Sequence, residues 1–132
     1  MKQSGKQNTS GSSNRGKRNR QRGHSYERKI VNELKEITKD EDICTSRSES
    51  KHLDDCKIDV FDPNNALPFY IQIKCTQATP AIKKINDEVG KKDKPLAIFW
   101  NAQEAREKKQ VSTGEYVILP KEAFYDILKQ LY

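Results

Sequence analysis

The sequence predicts an α/β domain in which a central mixed sheet of five strands is flanked by helices, in the order α-β-β-β-α-β-β-α. Two observations lead to this prediction. Short runs rich in β-branched and aromatic residues alternate with longer segments whose apolar residues recur at helical spacing. Turn-forming stretches such as Asp62-Pro63-Asn64-Asn65 separate these runs. The length suits a single domain, and no internal repeat is visible.

Residues 1–22 are basic and rich in Ser, Gly, Asn and Gln. They hold seven of the 25 Lys and Arg residues and no acid, so the remaining 18 bases face 19 acids. Because such a segment cannot bury enough apolar surface to fold alone, we expect a disordered arm, followed by one domain over residues 23–132. A basic arm on a near-neutral body is typical of nucleic-acid binders, although a solubilising tail or a processed leader gives the same pattern. The candidate nucleic-acid contacts in this arm are Arg15, Lys17, Arg18, Arg20 and Arg22.

The apolar residues and the cysteines argue against several classes of protein. No apolar run is long enough for a membrane helix or a signal peptide, so no membrane partner is expected. Three cysteines without CxxC spacing argue against a zinc site or a disulfide framework. A reducing cytoplasm is therefore the expected location, and no small-molecule cofactor is indicated.

The first helix is expected from Ser25, a residue type favoured as N-cap, to about Thr38. Its apolar stripe consists of Tyr26, Ile30, Val31, Leu34 and Ile37. At about 100° per residue, Glu27 falls within this stripe. A carboxylate on the core-facing side is unfavourable unless it is paired or binds a metal, which makes Glu27 a candidate site residue. The alternative is a hydrated Glu that the helix dipole stabilises.

Three strands are expected next, over Ile43–Arg47, Asp54–Phe61 and Phe69–Cys75. Alternation along the third directs one set of side chains to the core and leaves Tyr70, Gln72 and Lys74 on the other face. The core set is Phe69, Ile71, Ile73 and Cys75. If the last two strands pair with Asp59 opposite Gln72, then Asp59, Gln72 and Lys74 converge. An acid, an amide oxygen and an ammonium gathered there suit a divalent cation beside a phosphate.

The second half of the chain predicts a helix, two strands and a final helix. Thr79 and Pro80 begin the first of these helices, and Gly90 caps its end. The strands are expected at Leu96–Trp100, buried on both faces, and at Tyr116–Leu119. The polar segment Asn101–Glu115 between them is expected to be a loop, either close to substrate or merely solvated. An amphipathic helix after Pro120 carries Phe124, Ile127, Leu128 and Leu131 on one face.

In this order the residues resemble the PD-(D/E)xK nuclease superfamily, in which a helical Glu precedes a strand Asp and an acid-or-Gln–x–Lys strand. Within it, residues 23–132 resemble the archaeal and phage Holliday-junction resolvases. The segment Gly23-His24-Ser25-Tyr26-Glu27-Arg28 opens the helix, and Arg47-Ser48 follows on a strand. The resemblance implies a restriction-endonuclease-like fold and metal-dependent hydrolysis of phosphodiester bonds in branched DNA. It also implies a part in DNA recombination or repair in a bacterial or phage-infected cell.

The resemblance further implies a role for each site residue. Glu27, Asp59 and Gln72 would hold Mg²⁺, with Mn²⁺ as a substitute, and Lys74 would serve the scissile phosphate. Gln72 stands where many members have Glu, which predicts weaker metal binding. The further candidates are Asp55 as an extra ligand, Asp54 as a weaker one, and Ser46 and Arg47 as contacts to the phosphate or to the metal-bound water.

A four-way junction has approximate two-fold symmetry, so a homodimer is expected, with the C-terminal helix and the edge of the Leu96–Trp100 strand as candidate interfaces. Three alternatives stay open at this point. The first is a related nuclease that acts on duplex or single-stranded DNA. The second is a non-catalytic DNA-binding module with the same fold. The third is a basic α/β domain whose charges only solvate its strands.

Overall fold

The computed structural model describes the backbone of residues 2–132 and the side chains of residues 16–132, and helices alternate with strands in that part of the chain. The helices are α1 (Lys2–Thr38), α2 (Ser46–Glu49), α3 (Lys51–Asp55), α4 (Ile82–Glu88) and α5 (Lys121–Lys129). The strands are β1 (Cys44–Thr45), β2 (Val60–Phe61), β3 (Tyr70–Thr76), β4 (Leu96–Arg106) and β5 (Lys109–Ile118). The predicted α/β class is confirmed.

The strands form two sheets, so the predicted single sheet of five strands is wrong. β1 and β2 pair antiparallel, with Cys44 opposite Phe61. The other sheet has the order β3-β4-β5, in which β3 and β4 are parallel and β4 and β5 antiparallel. Because β4 is the central strand, the predicted dimer contact through an edge at Leu96–Trp100 is also wrong. β5 lies at the edge instead.

Backbone geometry on both sides keeps β2 short. Lys57, three residues before β2, has φ 66°, in the left-handed region. After β2 the Asp62 carboxylate accepts the backbone N–H groups of Ala66 and Leu67 at 2.9 and 2.8 Å, which closes a turn. The predicted strand over Asp54–Phe61 is therefore the end of α3, a turn and two strand residues.

The side chains of β3 alternate as predicted, and helices cover both of its faces. Ile71 and Ile73 face α1 with Phe69 and Cys75 beside them. The buried partners on that side are Tyr26, Ile30, Val31, Leu34, Ile43, Val60 and Leu67. A second buried cluster lies on the face of α4 and contains Ile58, Ile85, Val89, Leu96 and Ile98. The hydrophobic burial of both clusters supplies the main stabilisation of the sheet.

Helix α1 extends well before Ser25, the predicted N-cap. Gly23 and Ser25 lie inside the helix, and residues 16–22 of the predicted disordered arm are helical as well. The side chains of residues 1–15, which the sequence also assigns to the arm, lie outside the described part of the chain. Four residues of the predicted apolar stripe are buried, whereas Ile37 is exposed near the C-terminal end of the helix.

The polar segment Asn101–Glu115 is a hairpin and not the predicted loop. β4 and β5 meet at a turn in which Glu107 has φ 55°, and a register shift follows Ala102. At the other end of the hairpin, the ring of Trp100 lies 5.6 Å from that of Tyr116. The indole N–H of Trp100 also donates to the carbonyl and the hydroxyl of Thr76, at 3.2 and 3.1 Å, so β4 is tied to the end of β3.

The last two helices differ from the predictions in their ends and their burial. α4 begins at Ile82, after the predicted Thr79 and Pro80. Gly90 is needed for space: a Cβ there would lie 2.9 Å from Cys56 Sγ, since its N–H donates to the Cys56 carbonyl. On α5 only Ala123 is buried, while Phe124 and the following Leu131 are 48% and 70% exposed.

Among the described residues, no helix combines the length and apolar character needed to cross a membrane. Cys44, Cys56 and Cys75 all carry free thiols.

Candidate active site

Asp59 joins the two sheets through three hydrogen bonds. Its backbone N–H donates to the Ile71 carbonyl at 2.9 Å, and its own carbonyl accepts from the N–H of Ser46 at 3.0 Å. Its side-chain Oδ2 accepts the backbone N–H of Ile73 at 2.7 Å. A strand paired with β3 at this point would use the Ile73 donor, so the carboxylate takes the place of a ladder bond. These contacts put Asp59 beside Gln72, as the sequence predicted.

The environment of Asp59 favours its neutral form. Burial raises its pKa from 3.8 to about 6, and the Ile73 N–H acts in the opposite direction. The negative charges of Glu27 and Asp54 raise this pKa further, while the ammonium of Lys74 lowers it. Two of the predicted site residues, Glu27 and Lys74, are therefore close enough to Asp59 for their charges to act on it.

Gln72 and Lys74 lie on the face of β3 opposite to the α1 core. The side-chain Oε1 of Gln72 is buried and has no hydrogen-bond partner among the described residues. Such an unpaired acceptor is unfavourable, because it has lost water without gaining a donor. Lys74 lines a cavity of about 270 Å³ beside the start of α4, together with Lys84 and Glu88. Lys84 places a second ammonium at this cavity, and its spacing in the sequence is that of an ordinary surface lysine.

Glu27 forms an ion pair with Arg47 of α2. Its Oε1 lies 3.2 Å from Arg47 Nε and 3.1 Å from Nη2, and the two side chains are 14% and 36% exposed. The pair explains how a carboxylate on the inward side of α1 is tolerated. Arg47, predicted as a phosphate contact, instead neutralises a predicted metal ligand.

Neighbours of Glu27 fix α1 against the hairpin. Lys29 Nζ lies 3.0 Å from Glu115 Oε2 on β5. Burial and the nearby Glu115 carboxylate both raise the pKa of the Tyr26 phenol, while the bond from Lys29 lowers the pKa of Glu115. The helix turn that carries Glu27 is thus held on both sides of that residue.

The remaining predicted site residues are placed less favourably. Ser46 is wholly buried and its hydroxyl donates to the Ile58 carbonyl, so its predicted contact with phosphate is wrong. Asp55 is exposed at the end of α3, and Asp54, ranked behind it, is the one whose charge acts on Asp59. In the arm, Lys17, Arg18 and Arg20 are exposed and Arg22 is half-buried. The side chain of Arg15 lies outside the described residues.

The oxygen donors of Asp59 and Gln72 fit a hard cation that is bound with modest affinity. Asp59 supplies a carboxylate whose charge is poorly compensated, and Gln72 supplies a buried oxygen that lacks a donor. Within residues 16–132, no three Asp, Glu, His or Cys side chains are grouped closely enough to hold a metal by themselves. An ion here would depend on one or two carboxylates, the Gln72 oxygen and further oxygens from water or substrate, an arrangement that Mg²⁺ accepts.

Comparisons with protein-family models, with curated proteins and with solved structures found no match to this chain.

Proposed function

We propose that this chain is a metal-dependent DNA endonuclease that hydrolyses phosphodiester bonds in branched DNA. The observation that carries the proposal is the state of Asp59. Its carboxylate accepts the Ile73 N–H of β3, its pKa is raised to about 6, and Glu27 and Lys74 are its electrostatic neighbours. A buried carboxylate with strongly perturbed titration and several charged partners is a frequent property of catalytic centres.

Each residue has a distinct task in the proposed reaction. Asp59 and Gln72 would hold Mg²⁺ or Mn²⁺, with Glu27 as a further acid once Arg47 turns toward a phosphate. When bound, Mg²⁺ supplies charge neutralisation at the phosphate and makes water a better nucleophile. Lys74 stabilises negative charge on the phosphate oxygens, and Lys84 adds a second positive charge at the same cavity. Since Gln72 carries no charge, the proposed metal affinity is weaker than that of a site with Glu there.

The choice of branched DNA rests on the resemblance and on symmetry. Two matched nicks in a four-way junction need two active sites related by a two-fold axis, which a homodimer provides. The exposed Phe124 and Leu131 at α5 give such a dimer an apolar surface. The free thiols of all three cysteines suit the proposed cytoplasmic location.

The experiment that tests the proposal is cleavage of a labelled four-way junction beside a linear duplex of the same sequence, with Mg²⁺, with Mn²⁺ and with EDTA. We expect paired symmetric nicks in the junction alone. Asp59→Asn and Lys74→Ala should each lower the rate at least about 100-fold, the usual loss when one stabilising group is removed. Asp87→Asn and Lys92→Ala, which change exposed residues away from β3, serve as matched controls.

Each outcome has a separate meaning. Cleavage of both DNAs would retain the nuclease and reject the preference for junctions. Tight, salt-sensitive binding without metal-dependent cleavage would support the non-catalytic DNA-binding module. Equal rates in wild type and Asp59→Asn would remove Asp59 from the chemistry altogether.

The dimer has its own test. Phe124→Lys with Leu131→Lys puts two charges on the exposed α5 surface, and we expect the mass measured by light scattering to fall to that of one chain. Lys121→Ala with Lys129→Ala alters the same helix without adding charge to the apolar positions. A mass that is unchanged in the first variant would place the interface elsewhere.

A further inference from the structure

We infer that the cleft between residues 18–22 of α1 and the β4–β5 hairpin binds the backbone of the DNA strand that leads away from the Asp59 site. We name it the basic cleft. It has a volume of about 890 Å³. Its cationic lining consists of Arg18, Arg22, Lys108 and Lys109. The identity of the ligand as DNA rests on the proposed function. The inference adds the part of the surface along which the DNA strand lies.

The charges of the basic cleft are free to meet an anion. None of the four cations forms an ion pair with an acid among the described residues. Arg22 donates to Asn19 Oδ1 at 3.1 Å, which directs its guanidinium along the helix. One acid, Glu107 at the hairpin turn, also lines the cleft and opposes binding. A concave surface with four cations and one acid attracts a polyanion such as a DNA backbone.

Amide side chains supply the second observation. Asn19, Gln77 and Gln110 line the basic cleft, and the same three border an adjoining hollow that reaches Gln103. The Oε1 of Gln110 is buried and has no hydrogen-bond partner among the described residues. Amides both donate and accept, so they suit phosphate, sugar and base-edge groups of a nucleic acid. A cleft made only for an inorganic anion has no use for the acceptor of Gln110.

The position of the basic cleft relative to Asp59 is set by β3. Gln72 lies beside Asp59, and four residues later Thr76 borders the hollow that adjoins the cleft. Four strand residues span about 13 Å at 3.3 Å each. That length matches roughly four base-pair steps of 3.4 Å. Arg22 is close to the same end of β3, because it lines the same hollow as Cys75 and Thr76. Along the axis of β3, a few nucleotides therefore cover the separation between the Asp59 site and the cleft.

The test is binding, measured by fluorescence anisotropy of a labelled four-way junction and a labelled duplex, in EDTA and over a range of KCl. Lys108→Gln with Lys109→Gln removes two charges from the cleft. Lys121→Gln with Lys129→Gln removes two exposed charges from α5 as the matched control. We expect the cleft variant to bind at least about tenfold more weakly and to lower the slope of log K against log salt by about 1.8, at about 0.9 per phosphate contact. The control should change the affinity less than about threefold, because salt screens exposed charges that lie away from the bound DNA.

A second measurement does not depend on total charge. A photoreactive benzophenone residue at Gln77 should crosslink to DNA, whereas the same residue at Lys129 should not. Equal salt slopes in the cleft variant and the control, or crosslinking at Lys129 alone, would overturn the inference.

These outcomes are distinguishable from a failure of the proposed function. Both measurements are made without metal, so a chain that never cleaves DNA still passes them if the cleft binds DNA. Conversely, a chain that cleaves junctions and yet shows no effect of the cleft variant keeps the proposed function and loses this inference.

Discussion

Two polar regions lie along β3, and they are built in opposite ways. At one, Asp59 and Gln72 are half-buried; the Asp59 carboxylate accepts the Ile73 N–H, and the Gln72 Oε1 is buried without a partner among the described residues. At the other, the cations of the basic cleft are mostly exposed, and they come from α1 and the hairpin tip. The first region combines negative charge with an unpaired acceptor, and the second combines positive charge with amides.

This contrast teaches which property each region controls. A buried charge is coupled to folding, because its solvation is lost when the chain folds. Exposed charges are screened by salt and contribute little to folding. Changes around Asp59 should therefore alter chemistry and stability together, whereas changes in the basic cleft should alter affinity and its salt dependence alone.

The largest expected difference between the two regions concerns how the free energy of unfolding depends on pH in Asp59→Asn and in the wild type. With a pKa of about 6 in the folded chain and 3.8 when unfolded, the stability that Asp59 contributes is fully present below pH 3.8 and is lost as the pH rises through about 6. Above that range the ionised carboxylate lowers the free energy of unfolding by about 3 kcal/mol, because each unit of pKa shift corresponds to about 1.4 kcal/mol. Asn retains an oxygen for the Ile73 N–H and carries no charge.

We therefore expect Asp59→Asn to be more stable than the wild type at pH 8 by up to about 3 kcal/mol, and the difference to shrink toward pH 4.5. Urea unfolding in EDTA at both pH values measures this, with Asp87→Asn as the exposed control. Parallel curves for the wild type and Asp59→Asn would mean that the carboxylate is well hydrated, and the contrast between the two regions would fail.

A matched pair of substitutions at the two unpaired amides sharpens the comparison. Gln72→Glu adds a carboxylate beside Asp59, and we expect the Mg²⁺ concentration for half-maximal cleavage to fall about tenfold, because Mg²⁺ prefers charged oxygen ligands. Gln110→Glu puts the same charge in the basic cleft. Here the Mg²⁺ midpoint should stay unchanged while DNA affinity falls a few-fold, through repulsion of phosphate. Cleavage at graded Mg²⁺ and anisotropy in EDTA separate the two effects.

The pair would contradict the assignment if the two variants exchanged their effects. A shift of the metal midpoint in Gln110→Glu, with none in Gln72→Glu, would move the metal site from Asp59 to the hairpin.

The smallest expected effect concerns Glu107 at the hairpin turn. Gly suits its left-handed backbone at φ 55° and removes the acid that faces the basic cleft. We expect Glu107→Gly to bind DNA about two- to fivefold more tightly at low salt, with unfolding free energy within about 1 kcal/mol of the wild type. Glu107→Gln tests the charge alone, and Glu122→Gln on α5 is the control. Weaker binding in both Glu107 variants would mean that this acid contacts the DNA through donors that the ligand supplies.

The sequence predicted best where a pattern has only one structural solution. Strict alternation in β3 correctly assigned Ile71 and Ile73 to the core, and helical spacing assigned Ile30 and Leu34. It failed where side chains replace backbone pairing. The sequence predicts strand pairing that continues through Asp59, but the Asp59 carboxylate accepts the Ile73 N–H and the pairing ends there. The strands at the base of the β4–β5 hairpin are predicted, whereas its outer part over Asn101–Glu115 is predicted as a loop because that segment is mostly polar.

Among the site residues, the sequence located Asp59 beside Gln72 but could not supply their partners. The pairing of Glu27 with Arg47 joins two elements that are 20 residues apart, and nothing local in the sequence indicates it. The residue types of Ser46 and Asp55 suit a phosphate or metal site, but Ser46 is wholly buried and Asp55 is exposed at the end of α3. Lys84 has the spacing of an ordinary surface lysine, so only the packing of α4 beside Lys74 identifies it.

The single tryptophan of the chain lies between the two regions. Trp100 is the register partner of Lys74 on one side, and its indole N–H reaches Thr76, next to the cleft residue Gln77, on the other. The protein consequently carries an intrinsic optical reporter. Its emission should respond when a substrate strand arrives, so the order of strand capture and metal loading becomes readable by stopped-flow mixing with unlabelled DNA.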